Sequence, residues 1–295
     1  MKRKKRRNII IWSVVALIVV IAGYFSFIRP QQQAKRTVTV GIMAGSKQDD
    51  EIWNSVSKTA KDKYNVTLKF KRFTDYNQPN KALENGDVDL NAFQHKLFLQ
   101  TWNKAHKTDL VSLGDTFITP IRLYSKQYKS VKEIPNGGTI AVPNDASNES
   151  RALFALKNAG LIDLKKGTKL ATVSSISKNP RDLKIKELAA DQTARSLDNV
   201  DAAVVNTNYA QAAGLNYTSA IFVEPVNKDS KQWVNIIAVK DSEKNNKIYK
   251  DVVRAYHLKK LNEKLRNYTE QQKFLLGTST SINKGGLIWR TRSLT

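Results

Sequence analysis

The 295-residue chain has no cysteine. That excludes disulfides, thiolate metal sites, a cysteine nucleophile and attachment of a lipid through a cysteine. Histidine is scarce, with only His95, His106 and His257, so neither a multi-histidine metal site nor any cofactor is expected. Acid is under-represented: 26 Asp and Glu stand against 49 Lys and Arg, for a formal net charge of +23. Six of the positive charges lie in Lys2–Arg7 and the rest are scattered. Scattered charge attracts polyanions at long range without forming a binding motif. Zinc-finger spacing and an aromatic RNA-binding signature are both missing, so nucleic acid is not an expected partner. Asp87 and Asp89 alternate along a strand with no catalytic partner in view, and no enzymatic activity is expected.

What the chain does have is one long apolar run. Residues 1–8 are basic, and Ile9–Ile28 follows with about twenty largely apolar residues and no charge, enough for a helix of about 30 Å, the thickness of a hydrocarbon core. The residues after Gly23 are bulky, without the small-residue pattern of a cut site. An uncleaved anchor is therefore favoured over a cleaved signal. Positive charge before the run puts the N-terminus in the cytoplasm and everything after Arg29 outside. The expected location is the cell membrane, single-pass, and the Lys-rich exported part points to a Gram-positive surface. Residues 29–36, RPQQQAKR, form a polar tether.

From Thr37 onward, strands alternate with helices. Ile52, Val56, Ala60 and Tyr64 recur at helical spacing, and short apolar runs begin at Thr37, Val66, Val88, Leu110, Ile121, Thr139, Leu183, Asp201, Ile221 and Trp233. Thr119-Pro120 breaks the strand that starts at Leu110, so the chain crosses to a second lobe near there. The expectation is an α/β fold with two lobes and a cleft between them. Lobe 1 takes residues 37–120 and 222–295, and lobe 2 takes 121–221. Ser147 is read as the N-cap of a helix ending at Gly160, and a long final helix is expected over Ile248–Arg266.

Polar and aromatic groups gather where strands end: Phe93 with His95, Asn148 with Arg151, and Asn206. Ligands of open α/β sheets sit beyond the carboxyl ends of strands. Arg151 is placed in a helix's first turn, where a guanidinium fork and free N–H groups both favour an anion. The competing reading pairs it with an acid such as Glu149 or Asp145. Asn206 could fix an ammonium or a carboxylate, or be a turn residue. Asn235, inside the strand WVNIIAV, needs a partner if buried.

Taken together, Asp75-Tyr-Asn-Gln-Pro-Asn-Lys-Ala-Leu, Asn91-Ala-Phe-Gln-His, Pro143-Asn-Asp-Ala-Ser-Asn-Glu-Ser-Arg, Ala159-Gly-Leu-Ile and Val204-Val-Asn-Thr-Asn-Tyr-Ala resemble the NlpA-type methionine-binding proteins of ABC importers. The likeness runs from about Thr37 to about Tyr256. It implies a type II-like periplasmic-binding-protein fold with a hinge cleft. It also implies that Tyr76, Phe93 and His95 contact a methionine side chain, that Arg151 holds the carboxylate, that Asn206 and Asn235 contact the head group, and that Asn148 supports them. The implied partners are L-methionine or a related small amino acid, an ABC permease and, through it, its ATPase, with the binder a monomer. Other solutes remain open, including another amino acid or a methionine-containing dipeptide, as does a surface interaction role on the same fold. Two features depart from the family: no cysteine for its lipid, and a basic tail after Thr278 that does not align.

Overall fold

The computed structural model describes residues 2–24, 26, 36–45 and 47–258, with side chains from Trp12 onward except at 48, 228 and 229. Helix α1 (Lys2–Gly23) precedes the folded part. Among the described residues no helix is long and apolar enough to cross a membrane. Within those residues the expected crossing helix over 9–28 is thus not found: the apolar part of α1 from residue 9 to Gly23 rises about 22 Å at 1.5 Å per residue. Residues 25 and 27–28, the tether at 29–35 and the chain beyond 258 lie outside the described residues, and with them most of the expected helix to Arg266 and the tail.

Two five-stranded mixed sheets follow. The first is built from β1 (Thr37–Met43), β2 (Thr67–Phe73), β3 (Leu90–Asn91), β4 (Leu110–Asp115) and β12 (Ile236–Lys240), in the order β2-β1-β3-β12-β4. The second contains β5 (Arg122–Tyr124), β6 (Thr139–Pro143), β9 (Lys184–Leu188), β10 (Ala202–Val205) and β11 (Ala220–Val223), in the order β11-β5-β10-β6-β9. Since β12 enters the first sheet only after the second is complete, the chain passes between the two twice. Val38, Val40, Ile42 and Leu90 in one sheet, and Ile140, Val142, Ala202 and Val204 in the other, are all but fully buried. In β6 and β10 consecutive residues are buried, as strands covered on both faces require.

Helices cover the sheets. They are α2 (Lys47–Tyr64), α3 (Gln78–Asn85), α4 (Lys96–His106), α5 (Ala146–Asn158), α6 (Thr207–Ala212) and α7 (Lys247–Tyr256). Gly86 ends α3 at φ 79°, the left-handed turn in which both its N–H and the freed helix carbonyls of Ala82 and Leu83 find partners. A small hairpin, β7 (Asp163–Leu164) with β8 (Ile176–Lys178), has no clear apolar alternation and was not expected from the sequence.

Two local expectations change. The cap of α5 is Asp145, whose carboxylate accepts from the Asn148 N–H, while the Ser147 hydroxyl donates to that carboxylate instead of capping. A charged acceptor outcompetes a hydroxyl for the helix N-terminus. The helix therefore starts at Ala146, and Arg151 sits in its second turn. At the other change, Trp233 belongs to a 3-10 turn over Lys228–Trp233, so Asn235 lies just before β12 instead of within it.

The lobes are closed on each other. One apolar cluster runs from Met43, Phe73, Tyr76 and Phe98 on the first lobe to Tyr124, Tyr209 and Ala210 on the second. Gly45, after β1, has φ 93°, and a Cβ there would lie 2.7 Å from the Ala212 Cβ at the end of α6. The close approach of the lobes depends on that missing side chain.

Candidate functional site

The cleft has an aromatic wall supplied mostly by the first lobe. Tyr76 lies in the turn before α3, and its ring centroid is 5.8 Å from Phe93, 5.9 Å from Phe98 and 4.7 Å from Tyr209 across the cleft. Phe93 meets Phe98 edge to face at 5.5 Å. The Tyr76 hydroxyl donates to Asn208 Oδ1 at 2.5 Å, a bond between the lobes. Burial pushes that phenol far above its ordinary pKa, so it stays a neutral donor.

What aims Phe93 and His95 is the residue between them. Gln94 is buried and exchanges hydrogen bonds with Asn80 on α3, donating at 2.7 Å and accepting at 3.0 Å, and also donates to Asn91 at 3.0 Å. Asn91 donates in turn to Asn80 at 2.8 Å. Three buried amides thus satisfy each other and pin the short stretch after β3.

His95 caps α4. Its Nδ1 accepts from the Phe98 N–H at 3.0 Å, so the ring proton must sit on Nε2. Nε2 faces Asn148 Oδ1 at 3.3 Å. Burial, helped by the positive charge of Arg151, lowers the His95 pKa to about 3. The ring is therefore neutral and a fixed Nε2–H donor. Asn148 Oδ1 also accepts from Asn206 Nδ2 at 2.9 Å, and Asn148 Nδ2 spans both Asp145 oxygens at 3.0 Å. The chain His95–Asn148–Asn206 orients each amide and leaves one atom over: Asn206 Oδ1 is buried with no partner. An orphaned buried acceptor costs about 1–3 kcal/mol, and a ligand N–H would relieve it.

Among the described residues lining the cavity, Arg151 is the only fixed charge. Its side chain is 4% exposed, and its acid is neither Glu149 nor Asp145 but Glu224, which is 7% exposed. Nε bonds both carboxylate oxygens at 2.9 and 3.1 Å, and Nη2 bonds Oε2 at 2.6 Å and Thr119 O at 2.8 Å. Nη1 has no hydrogen-bond partner among the described residues and remains to meet an anion. The helix N-terminus, already capped, takes no part in that site. The Trp233 ring lies 5.1 Å from the guanidinium and edge-on to His95 at 5.1 Å, holding both from one side.

Tyr76, Phe93, His95, Asn148, Arg151, Asn206 and Asn235 all line one cavity, with about 380 Å³ of non-atom space when its open mouth is counted. Asn235 is fixed through its backbone, which donates to Phe117 O at 3.0 Å and accepts from Thr116 at 2.7 Å. Sequence reasoning missed Glu224, Trp233 and Asn208. An acid closing the apolar strand AIFV was the available signal for Glu224, but strand ends commonly carry solvated acids. Among the described residues no group of three or more His, Cys, Asp or Glu could hold a metal ion. A neutral donor, an orphan acceptor, a guanidinium edge and an aromatic wall suit recognition of a small zwitterion with an apolar or thioether side chain.

Comparison with known proteins agrees in kind. The model of the NlpA lipoprotein family matches residues 38–275. A probable D-methionine-binding lipoprotein MetQ of Pasteurella multocida is 42% identical over 229 residues, covering 77% of this chain and 81% of that one. The substrate-binding protein of a methionine transporter from Streptococcus pneumoniae superposes with a TM-score of 0.74 at 47% identity, covering 80% of this chain and 94% of that chain. A nutrient-binding protein from Burkholderia cenocepacia bound to methionine gives 0.74 at 43% identity, covering 80% and 98%.

Proposed function

This chain belongs to the NlpA lipoprotein family, and from that premise we propose that it is the extracytoplasmic solute-binding protein of an ABC importer, capturing methionine between its lobes and delivering it to the permease. The observation that carries this reading is that Arg151 and the orphaned Asn206 Oδ1 line one cavity with Tyr76, Phe93 and Phe98. A free carboxylate meets the guanidinium edge, the ammonium relieves the orphan acceptor, and the thioether lies against the aromatic rings. His95 donates to Asn148, which supports Asn206, and Asn235 closes the head-group end. Because the site draws on both lobes, bound ligand favours the closed state, and the permease reads that state.

We assign the lobes to residues 37–120 with 224–295 and to 121–223, two residues later than the expected boundary at 222 because β11 pairs with β5 through Val223, acting as a monomer with no enzymatic step. In place of the lipid that needs a cysteine, membrane attachment falls to residues 9–28. Trp12, Leu17 and Val20 in that stretch are 71, 59 and 67% exposed, bare apolar surface that water does not favour. Titration calorimetry of the purified full chain with L- and D-methionine tests the binding reading. Saturable heat at micromolar ligand is expected. No heat at millimolar methionine, with binding of a methionine-containing dipeptide, would replace the ligand, and no binding of either would move the function to a surface interaction role.

A further inference from the structure

We propose that Glu224 is a positioning residue that sets the charge class of the ligand, by neutralising Arg151 from outside the cleft and locking it to the hinge; this rests on the cleft being the methionine site. Glu224 follows β11, where the chain leaves the second lobe. Its backbone N–H donates to Ile121 O at 3.0 Å, and its Oε2 accepts from the Ile121 N–H at 3.1 Å. Ile121 belongs to the other crossing of the chain, so one residue ties the two connecting segments together. The same carboxylate takes three contacts from Arg151, while Arg151 Nη2 also reaches Thr119 O on that first crossing. Both side chains are under 9% exposed.

Glu224 does not line the cavity. It reaches a ligand only through Arg151, by fixing which guanidinium edge faces the cleft and by cancelling its charge. A buried guanidinium without its acid would demand a net anion. With the acid in place the pair is neutral, and the matching ligand is itself neutral overall: a zwitterion whose carboxylate faces Nη1 and whose ammonium faces Asn206 Oδ1. Of the other acids nearby, the partly buried Asp145 lies behind Asn148 and the buried Glu149 accepts from the Val173 N–H; both are common to every variant, so they cancel in comparisons.

The test measures the affinities of L-methionine and of 4-(methylthio)butanoate, which keeps the side chain and carboxylate but lacks the amino group. In the wild-type protein methionine binds at least 100-fold more tightly. In Glu224→Gln methionine weakens while the anion gains, so the ratio falls at least tenfold, and Glu224→Asp, which keeps the charge, returns the ratio toward wild type. A merely structural role weakens both ligands together and leaves the ratio where it was, which would overturn the inference while sparing the methionine site. If the glutamine variant does not fold, Glu224→Ser, which removes the charge and leaves room for water, is read in the same way: a ratio at least tenfold below wild type supports the inference, and an unchanged ratio overturns it. A wild-type protein that binds neither ligand overturns the reading of the site, and this inference with it.

Discussion

His95 makes the stability of this protein sensitive to mildly acid pH, by an amount that follows from its position. The ring is buried, spends Nδ1 on the Phe98 N–H and faces Arg151, so the folded state holds it neutral down to about pH 3 instead of the ordinary 6.5. Between those values the unfolded chain binds a proton that the folded chain refuses, so stability falls as pH falls through the window. The contribution of the neutral ring is fully present above about 6.5. Integrating from pH 7 to pH 5 with these pKa values gives a loss of about 2 kcal/mol from this one group. Urea unfolding of the wild type and of His95→Asn at pH 7, 6 and 5 isolates it. Asparagine is a good N-cap and keeps an acceptor for the Phe98 N–H, but it does not titrate. The expected result is a wild-type stability that drops about 2 kcal/mol more than the variant's over that range. Carboxylates elsewhere titrate alike in both proteins and cancel. Parallel pH profiles would refute the placement of His95 as a buried neutral donor.

The contact of Gly45 with Ala212 predicts that Gly45→Ala weakens methionine binding at least tenfold by holding the lobes apart, and that adding Ala212→Gly restores part of the loss. The positive φ of Gly45 strains either variant equally, so rescue reports the clash alone; no rescue would mean that closure does not depend on this contact. For the anchor, alkaline carbonate extraction of membranes should leave the full chain in the pellet, whereas release into the supernatant would rule out residues 9–28 as a membrane-embedded segment.

Much of the fold was legible because its signals are local. Apolar runs alternating with helical periodicity marked the α/β layers, and Thr119-Pro120 marked the crossing to the second lobe. Where expectation slipped, short-range competition decided. Both Asp145 and Ser147 are acceptable caps by residue type, and only their reach to the Asn148 N–H separates them. The strand expected at Val88–Phe93 shrinks to Leu90–Asn91, because after Asn91 the chain bends into the Asn80–Gln94 amide network instead of the sheet ladder.

By itself, then, the sequence determined the chemistry available to this protein: no thiol, too little histidine for a metal centre, a single apolar run at the N-terminus, and aromatic, amide and guanidinium groups at strand ends. It could nominate Phe93, His95, Asn148, Arg151 and Asn206 because strand ends and helix starts are visible in periodicity, while Tyr76 and Asn235 joined them as what the family resemblance implied. Only the tertiary structure decided what those groups do for one another. Arg151 and Glu224 stand 73 positions apart within the second lobe and its hinge and Tyr76 and Asn208 stand 132 apart across the cleft, and no local pattern links residues that only tertiary packing brings together. Packing of α5 against the hinge makes Arg151 half of a neutral pair, and the amide contacts leave Asn206 Oδ1 as the one unpaired acceptor in its chain of amides.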